Sequence, residues 1–376
     1  MMGKQVNYGM IGCGMMGQEH LRNILLLPDS RIAAIYEPDP DMCAAAARIA
    51  PDAILADSLA DLLASPLDCI VISSPNIAHV GQLEQIAQGS PVPVLVEKPL
   101  FTHPADRARI ERLIRTYRAP IWVAMEYRYM PPITRFLERL DPATGGLKML
   151  TIREHRFPFL HKVGAWNRFN RSSGGTLVEK CCHFFDLMRL AVRSEPVRVM
   201  ASAGQAVNHL DEAYGGETPD IWDNAYVIVD FANGARAMLE LCMFAEGARY
   251  QEEITAVGPS GRIEALVPGP GRFWPVHMGA PPVPQLIESP RAPKGPVATE
   301  IPVDPALLEA GDHNGATFYQ HRKFRQAMQD GHAVEVTVQD GMKAVLMGLA
   351  AQESAASGKA VDLDFSTEAE EYRICS

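Results

Sequence analysis

Lys98, Glu179 and His183 are the residues of this 376-residue chain whose types suit proton transfer at a carbon–oxygen bond. Lys98 lies in Glu97-Lys98-Pro99, directly after the apolar run Val92 to Val96. A lysine delivered by a strand end can hydrogen-bond a hydroxyl or carbonyl as a fixed positive charge, favouring alkoxide character in a hydride transfer. The following proline fixes the backbone and is a candidate for a cis bond. The other possibility is a surface lysine before a helix.

Glu179, His183 and Asp186 sit in a stretch that begins with the glycine turn Gly174-Gly175. At i, i+4 and i+7 of one predicted helix they share a face. A carboxylate beside an imidazole holds its tautomer and raises its basicity, as a proton-abstracting histidine requires. A structural His–Asp pair at a helix–sheet interface, or a Glu/His/Asp metal site, are the alternatives for this segment. No fourth ligand is visible nearby, and hydride transfer to a nicotinamide needs no metal, so none is expected.

That chemistry needs a nucleotide, and Gly12-x-Gly14-x-x-Gly17 offers a place for one. The triplet lies between the apolar run Val6 to Ile11 and a helical stretch, Met16 to Leu27, and Glu37 follows Gly17 by 20 residues. This is the spacing of a dinucleotide-binding βαβ unit. Gly12 allows the tight turn, Gly14 lets backbone N–H groups approach a pyrophosphate, and Gly17 lets helix and strand pack closely. Glu37 suits the two ribose hydroxyls of the adenosine half and repels a phosphate there. Pro38-Asp39-Pro40-Asp41 supplies no cation for a 2′-phosphate, so NAD is expected rather than NADP. The alternative for Glu37, capping the next helix, is open equally to Asp39 and Asp41.

Further strand-like runs, Ile32 to Tyr36, Cys69 to Ile72, Val92 to Val96 and Ile121 to Met125, alternate with helical stretches near 41–50, 59–65, 78–89 and 104–117. Short, almost continuous apolar strands between helices predict a parallel sheet covered on both faces. Ligands bind at the carboxyl ends of such strands, where Ser73-Ser74-Pro75-Asn76 with His79, and Glu97-Lys98, are placed. After about residue 126 the pattern turns to period-two alternation. Ala225 to Ala232 and Ala235 to Met243 flank Asn233-Gly234, a strong hairpin signal, and Ile254 to Val257 and Arg262 to Val267 flank a second turn. With Lys148 to Phe157 and Pro196 to Ala203 they predict an antiparallel sheet of at least six strands. The stretch 268–305 holds 11 of the 29 prolines and reads as an extended loop or arm. Helices are predicted near 313–330 and from Asp340 as N-cap to Gly358 as the residue past the end.

This length predicts two domains, 1–125 for the nucleotide and 126–376 for substrate binding and oligomerisation. With 45 acidic and 35 basic residues the net charge of −10 disfavours nucleic acid and anionic membrane as partners. The seven cysteines, Cys13, Cys43, Cys69, Cys181, Cys182, Cys242 and Cys375, show no CxxC pair and read as reduced thiols. The first strand starts too early for a signal peptide and no apolar run approaches ~18 residues, so a cytoplasmic protein is expected.

The ordered set Gly12-x-Gly14-x-x-Gly17, Ser74-Pro75-Asn76-x-x-His79, Glu97-Lys98-Pro99, Arg128-Tyr129-x-Pro131, Gly174-Gly175 and Glu179-x-x-x-His183-x-x-Asp186 resembles the Gfo/Idh/MocA family of oxidoreductases. The resemblance covers nearly the whole chain. It implies an N-terminal Rossmann domain, a C-terminal α/β domain with a large open, mainly antiparallel sheet that often forms the oligomer interface, and a substrate site between them. A homodimer or homotetramer is implied. Lys98 would be the catalytic lysine, His183 the general acid/base, Glu179 the neighbouring carboxylate and Asp186 a structural residue. NAD would be bound through Gly12, Cys13, Gly14, Met15, Met16, Gly17, Glu37, Ser73, Ser74, Pro75, Asn76, His79, Glu97, Lys98, Glu126 and Trp166.

The sequence departs from the family pattern at three places. Glu179 stands where inositol-type members usually carry Asp, and Lys180 and Cys181-Cys182 replace small apolar residues. Lys180 reads either as a solvated or interdomain lysine or as a second cation in the site. Arg153, Arg156, Arg168 and Arg171 suit either an acidic substituent or a solvated sheet edge. Substrate contacts are therefore expected from Lys98, Arg168, Glu179, Lys180 and His183. Trp166 offers a face for nicotinamide or sugar, while His155, His161 and His313 have no assignable partner. The expected activity is NAD-dependent oxidation, or the reverse reduction, at a secondary hydroxyl of a sugar, glycoside or cyclic polyol. The alternatives are glycoside cleavage through transient ring oxidation with no net redox change, and a non-catalytic NAD-sensing regulator.

Overall fold

A computed structural model describes residues 5–89, 91–329 and 333–365. Six parallel strands form the first sheet: β1 (Val6–Ile11), β2 (Ser30–Tyr36), β3 (Ile54–Leu55), β4 (Cys69–Ile72), β5 (Val94–Val96) and β6 (Ile121–Val123), in the order β3-β2-β1-β4-β5-β6. The connecting helices are α1 (Met15–Leu25), α2 (Pro40–Ile49), α3 (Leu59–Leu63), α4 (His79–Gln88) and α5 (Arg107–Thr116). All residues of β4, β5 and β6 are buried, which is why their sequences are uninterrupted apolar runs. The order reverses at β1, whose neighbours are β2 and β4. A crevice for ligand belongs at that switch point, where the glycine motif leaves β1.

The second sheet has nine strands: β7 (Met149–His155), β8 (Pro196–Gly204), β9 (Asn224–Phe231), β10 (Arg236–Cys242), β11 (Glu252–Val257), β12 (Gly261–Val267), β13 (Gln285–Pro290), β14 (Val297–Glu300) and β15 (Val361–Asp362). Its order is β14-β13-β12-β11-β7-β10-β9-β8-β15. Every pairing is antiparallel except β7 with β10, so the sheet is mixed. With that single parallel pair the sheet is mainly antiparallel, as expected. The proline-rich stretch is corrected: β13 and β14 lie within it and lengthen the sheet at one edge. Prolines at 290 and 296 bound these short strands rather than interrupt a ladder, which is where an edge tolerates them. Helix α6 (Pro131–Thr144) lies along β12 and β13, and Arg139 pairs with Glu288 of β13.

The segment expected to be one helix from Thr176 is two, α8 (Thr176–Glu179) and α9 (Cys182–Val192), after the short α7 (Asn170–Ser173). The N–H groups of Lys180 and Cys181 both donate to Thr176 O, at 3.0 and 3.3 Å, so the hydrogen-bond ladder does not advance and the helix breaks. The i, i+4 relation of Glu179 to His183 on a continuous helix is thereby lost. His183 and Asp186 keep their i, i+3 relation in α9.

The chain ends with α10 (Pro305–Ala310), α11 (Ala316–Gln329) and α12 (Val338–Ser357). Thr337, not Asp340, begins α12: its hydroxyl accepts the Asp340 N–H while Asp340 accepts the Thr337 N–H. Gly358 follows with φ +68°, as expected of the terminating glycine. The chain divides into two compact units, one of Met1–Met130, Leu160–Cys182 and Val303–Val345, the other of Pro131–Phe159, His183–Pro302 and Leu346–Ser376. The first unit gains α11 through the core pair Trp122–Phe324, and the segment before α12 through Val123 N–H donating to Val336 O at 3.1 Å.

Candidate active site

The glycine motif is built as a pyrophosphate cradle. A Cβ on Gly12, which has φ +84°, would lie 2.5 Å from Ser74 N, and one on Gly17 would lie 2.4 Å from Gly12 O. Both positions are closed to any side chain. Gly14 caps α1 without a side-chain bond, and a Cβ there would meet nothing within 4 Å. The open side of the turn is thus at the helix N-terminus, where backbone donors and the helix dipole favour an anion. Glu37 accepts the N–H of Cys13 at 2.5 Å and of Asp39 at 2.8 Å, which sets its carboxylate against the glycine turn. Capping of α2 falls to Asp39, through Asp41 and Met42 N–H. The residues present fit a dinucleotide.

Two neighbouring turns are tied to this cradle. Ser73 Oγ donates to Gly12 O at 2.6 Å, and Ser74 Oγ donates to Gln82 Oε1 at 2.6 Å. His79 is fully buried, its ring nitrogens 2.9 Å from Pro99 O and 3.0 Å from Ser74 O, so it holds two strand-end turns together. Burial lowers its pKa, against the two carbonyls. The Lys98-Pro99 bond is cis. Glu97 is also internal: Oε1 meets His20 Nε2 at 2.9 Å, Oε2 accepts the Lys98 N–H at 3.2 Å, and His20 Nδ1 lies 2.8 Å from His321 Nε2. Neither His20 nor His321 stands out in the sequence, because their partners are 77 and 301 residues away.

The Glu97-Lys98-Pro99 turn meets the segment 160–182. Lys98 Nζ donates to Glu179 O at 3.1 Å, and Asn76 Nδ2 donates to Ser173 O at 3.0 Å. Burial opposes the Lys98 charge, but Cys182 and the carboxylates of Glu179, Glu97 and Glu126 outweigh it and hold its pKa above the ordinary lysine value. Glu179 is buried; Oε1 accepts from Lys162 Nζ at 3.3 Å, and Oε2 has no hydrogen-bond partner among the described residues. Lys162 lies 4.4 Å over the Trp166 ring. Burial lowers its pKa, and the Lys98 charge adds to that, against Glu179. No motif or spacing marks Lys162 in the sequence.

Lys180 is buried rather than solvated. Its ammonium donates to the Tyr127 hydroxyl and lies 4.7 Å over that ring. The four arginines do not form one solvated edge. Arg168 is buried, Arg171 lies 4.3 Å over the Phe169 ring, Arg153 pairs with Glu253, and Arg156 lies 3.7 Å from Glu154. His183 is buried in α9 and lies in the second unit, as does Asp186.

Glu126 belongs to a buried ion cluster. Glu19 Oε1 accepts from His313 Nδ1 and Thr317 Oγ1, both at 2.9 Å, and Thr317 Oγ1 is 2.6 Å from Glu126 Oε2. His313 Nδ1 is 3.5 Å from Glu126 Oε1. His313, without a partner by sequence, has two. Ligand atoms of Glu19, Glu126 and His313 lie within 4.8 Å of one another. His313 Nδ1 faces both carboxylates, nearer to Glu19 than to Glu126. His155 likewise finds Glu240 at 3.0 Å. Six cysteines are free thiols, and Cys375 lies outside the described residues.

Residues 6–125 match the description "Oxidoreductase family, NAD-binding Rossmann fold", and residues 144–363 match "Oxidoreductase family, C-terminal alpha/beta domain", both of Gfo/Idh/MocA. The chain belongs to the Gfo/Idh/MocA oxidoreductase family. It therefore carries the family's NAD-binding Rossmann fold, on the glycine cradle described above. It is 27% identical to an inositol 2-dehydrogenase of Rhizobium meliloti over 271 residues, 69% of this chain and 75% of the relative. It is 26% identical to the oxidoreductase YrbE of Bacillus subtilis over 268 residues, 70% and 74% of the two chains. In fold it resembles levoglucosan dehydrogenase in complex with NADH and levoglucosan, at 20% identity and a TM-score of 0.78, over 96% of this chain and 99% of that one. GenD2 of gentamicin A biosynthesis, in complex with NAD, aligns over 97% and 98% with a TM-score of 0.77 and 20% identity.

Proposed function

We propose that the protein is an NAD-dependent dehydrogenase acting on a secondary hydroxyl of a sugar, glycoside or cyclic polyol. The observation that carries this is the Lys98 ammonium seated on the backbone carbonyl of Glu179, 81 residues away, a residue whose buried side-chain Oε2 has no partner among the described residues. NAD, when bound, supplies the acceptor for hydride. Gly12, Gly14 and Gly17 would bind its pyrophosphate and Glu37 its ribose hydroxyls, while Ser73 and His79 keep the strand-end turns in place. Lys98, held as the ammonium, donates a hydrogen bond to the reacting oxygen and stabilises the negative charge that grows there. His183 accepts the hydroxyl proton on a ring nitrogen, with Asp186 orienting its helix. Glu179 accepts a hydrogen bond from substrate at Oε2.

Lys98→Met and His183→Ala are each expected to lower kcat by about 10²-fold or more. Calorimetric affinity for NAD should change by less than about threefold in His183→Ala. Full turnover in both variants would remove the mechanism. The same NADH assay, run with aryl glycosides, separates the alternatives: aglycone release without NADH would mean transient oxidation, and NAD binding without turnover on any sugar would mean a sensor. Inositol-type and anhydrosugar substrates lead the panel because relatives are named for them. We further propose that the nine-stranded sheet forms a homodimer or homotetramer and that the protein works in the cytoplasm.

A further inference from the structure

Lys162 has no part in the reading above, yet it is the side chain that fixes Glu179. Glu179 is 2% exposed, and its two carboxylate oxygens are unequal: Oε1 is taken by Lys162 Nζ at 3.3 Å, whereas Oε2 is buried with no partner among the described residues. A buried carboxylate oxygen left without a donor costs on the order of 1–3 kcal/mol, so the site is complete only with a donor present. The Lys162 side chain is 28% exposed and lies across the Trp166 ring at 4.4 Å, which limits its swing away from Glu179. Lys98 reaches the main-chain oxygen of the same residue. Lys98 Nζ and Oε2 are thereby anchored to the same residue, one through its main chain and the other through its side chain.

We propose that Lys162 is a positioning and specificity residue that holds Glu179 Oε1 so that Oε2 accepts a hydroxyl next to the reacting one, selecting a neutral vicinal diol over a hydroxy acid. The inference rests on the dehydrogenase reading and names its substrate class. A hydroxyl can donate to Oε2; a carboxylate cannot, and would set two negative charges against each other. The positive charge that remains on Lys98 is then free for the developing alkoxide. Lys162 is faced by Glu179, Lys98 and Glu97, and its ammonium is more easily deprotonated than an ordinary lysine because of burial and Lys98. Loss of that proton releases Oε1, so substrate affinity should fall on the alkaline side.

The test uses myo-inositol and glucose, each beside its mono-deoxy analogues, with lactate as the hydroxy acid, at saturating NAD. In the wild type, removing the hydroxyl next to the oxidised carbon should lower kcat/KM about 10²-fold, and the neutral substrate should exceed the acid. In Lys162→Met the parent substrate should fall about 10²-fold, mainly through KM, while the deoxy analogue changes by less than about threefold. Lys162→Arg should restore the parent to within about 10-fold and move the alkaline rise in KM to higher pH, since guanidinium does not titrate there. Glu179→Gln, nearly isosteric, should also erase the discrimination and guards against a fold defect in Lys162→Met. Equal losses on parent and deoxy substrates, unchanged kinetics, or a preference for the acid would overturn the proposal while leaving the dehydrogenase standing. No NADH from any of these compounds would instead overturn the activity itself.

Discussion

Glu19 and His313 show how a buried charge can be kept when its partner is exact. Burial opposes the Glu19 charge, but His313 and the donors Asp312 N–H and Thr317 Oγ1 bring its pKa to about 2. Burial likewise opposes the imidazolium, and Glu126 and Glu19 outweigh it, raising His313 to about 10. The Glu19 contribution to stability is present above the ordinary carboxylate value of 4.5 and is lost as pH falls towards 2. The His313 contribution is complete below 6.5 and is lost as pH rises towards 10. The Glu19–His313 pair is therefore most stabilising between about pH 4.5 and 6.5, while Glu126, whose pKa burial raises, opposes folding as it ionises. His313→Gln should cost roughly 3 kcal/mol at pH 6 and flatten the decline of the unfolding midpoint between pH 6.5 and 10. Parallel curves for variant and wild type would refute it. None of this is legible in the sequence, since Glu19 and His313 are 294 residues apart and become partners only when the chain returns to the first unit.

The βαβ turn makes the opposite case, because each glycine carries a separate local demand. Gly17→Ala would place its Cβ 2.4 Å from Gly12 O, a contact that only a shift of α1 against β1 relieves. Gly14→Ala meets nothing. We expect Gly17→Ala to lower the unfolding midpoint by several degrees, and Gly14→Ala to leave it within about 2 °C while weakening NAD at least about 10-fold, because the methyl fills the space meant for the pyrophosphate. Equal thermal losses in both would show the cradle to be misassigned. The break between α8 and α9 lies beyond local reading. Nothing in Thr176-Leu177-Val178-Glu179-Lys180-Cys181-Cys182 disfavours helix strongly, and the break falls beside Lys180, whose ammonium is held by Tyr127, 53 residues earlier.

The nine-stranded sheet carries an outward row in which apolar residues sit among charge pairs. Tyr226 and Ile228 of β9 are 59% and 42% exposed, and Met149 of β7 is 59% exposed, beside Arg153–Glu253 and His155–Glu240. A patch of this kind suits a self-complementary contact. Light scattering should give a mass at least twice that of one chain. Tyr226→Glu with Ile228→Glu should shift it towards the single chain without loss of secondary structure. A monomeric wild type at micromolar concentration would exclude this use of the sheet. Among the described residues no helix is long and apolar enough to cross a membrane.

The sequence by itself determined the period of each element, the glycine turn with Glu37, and the strand ends at which Lys98 and the serine turn appear. These depend on contacts a few residues apart or on alternation along one strand, which residue order encodes directly. The tertiary structure alone decided that Lys162 grips Glu179, that Lys180 is spent on Tyr127, that β13 and β14 emerge from a proline-rich stretch, and that β7 and β10 run parallel. Each of these is settled by which distant backbone or charge is already in place when the side chain is buried, because a polar group withdrawn from water takes whichever partner the fold brings within reach.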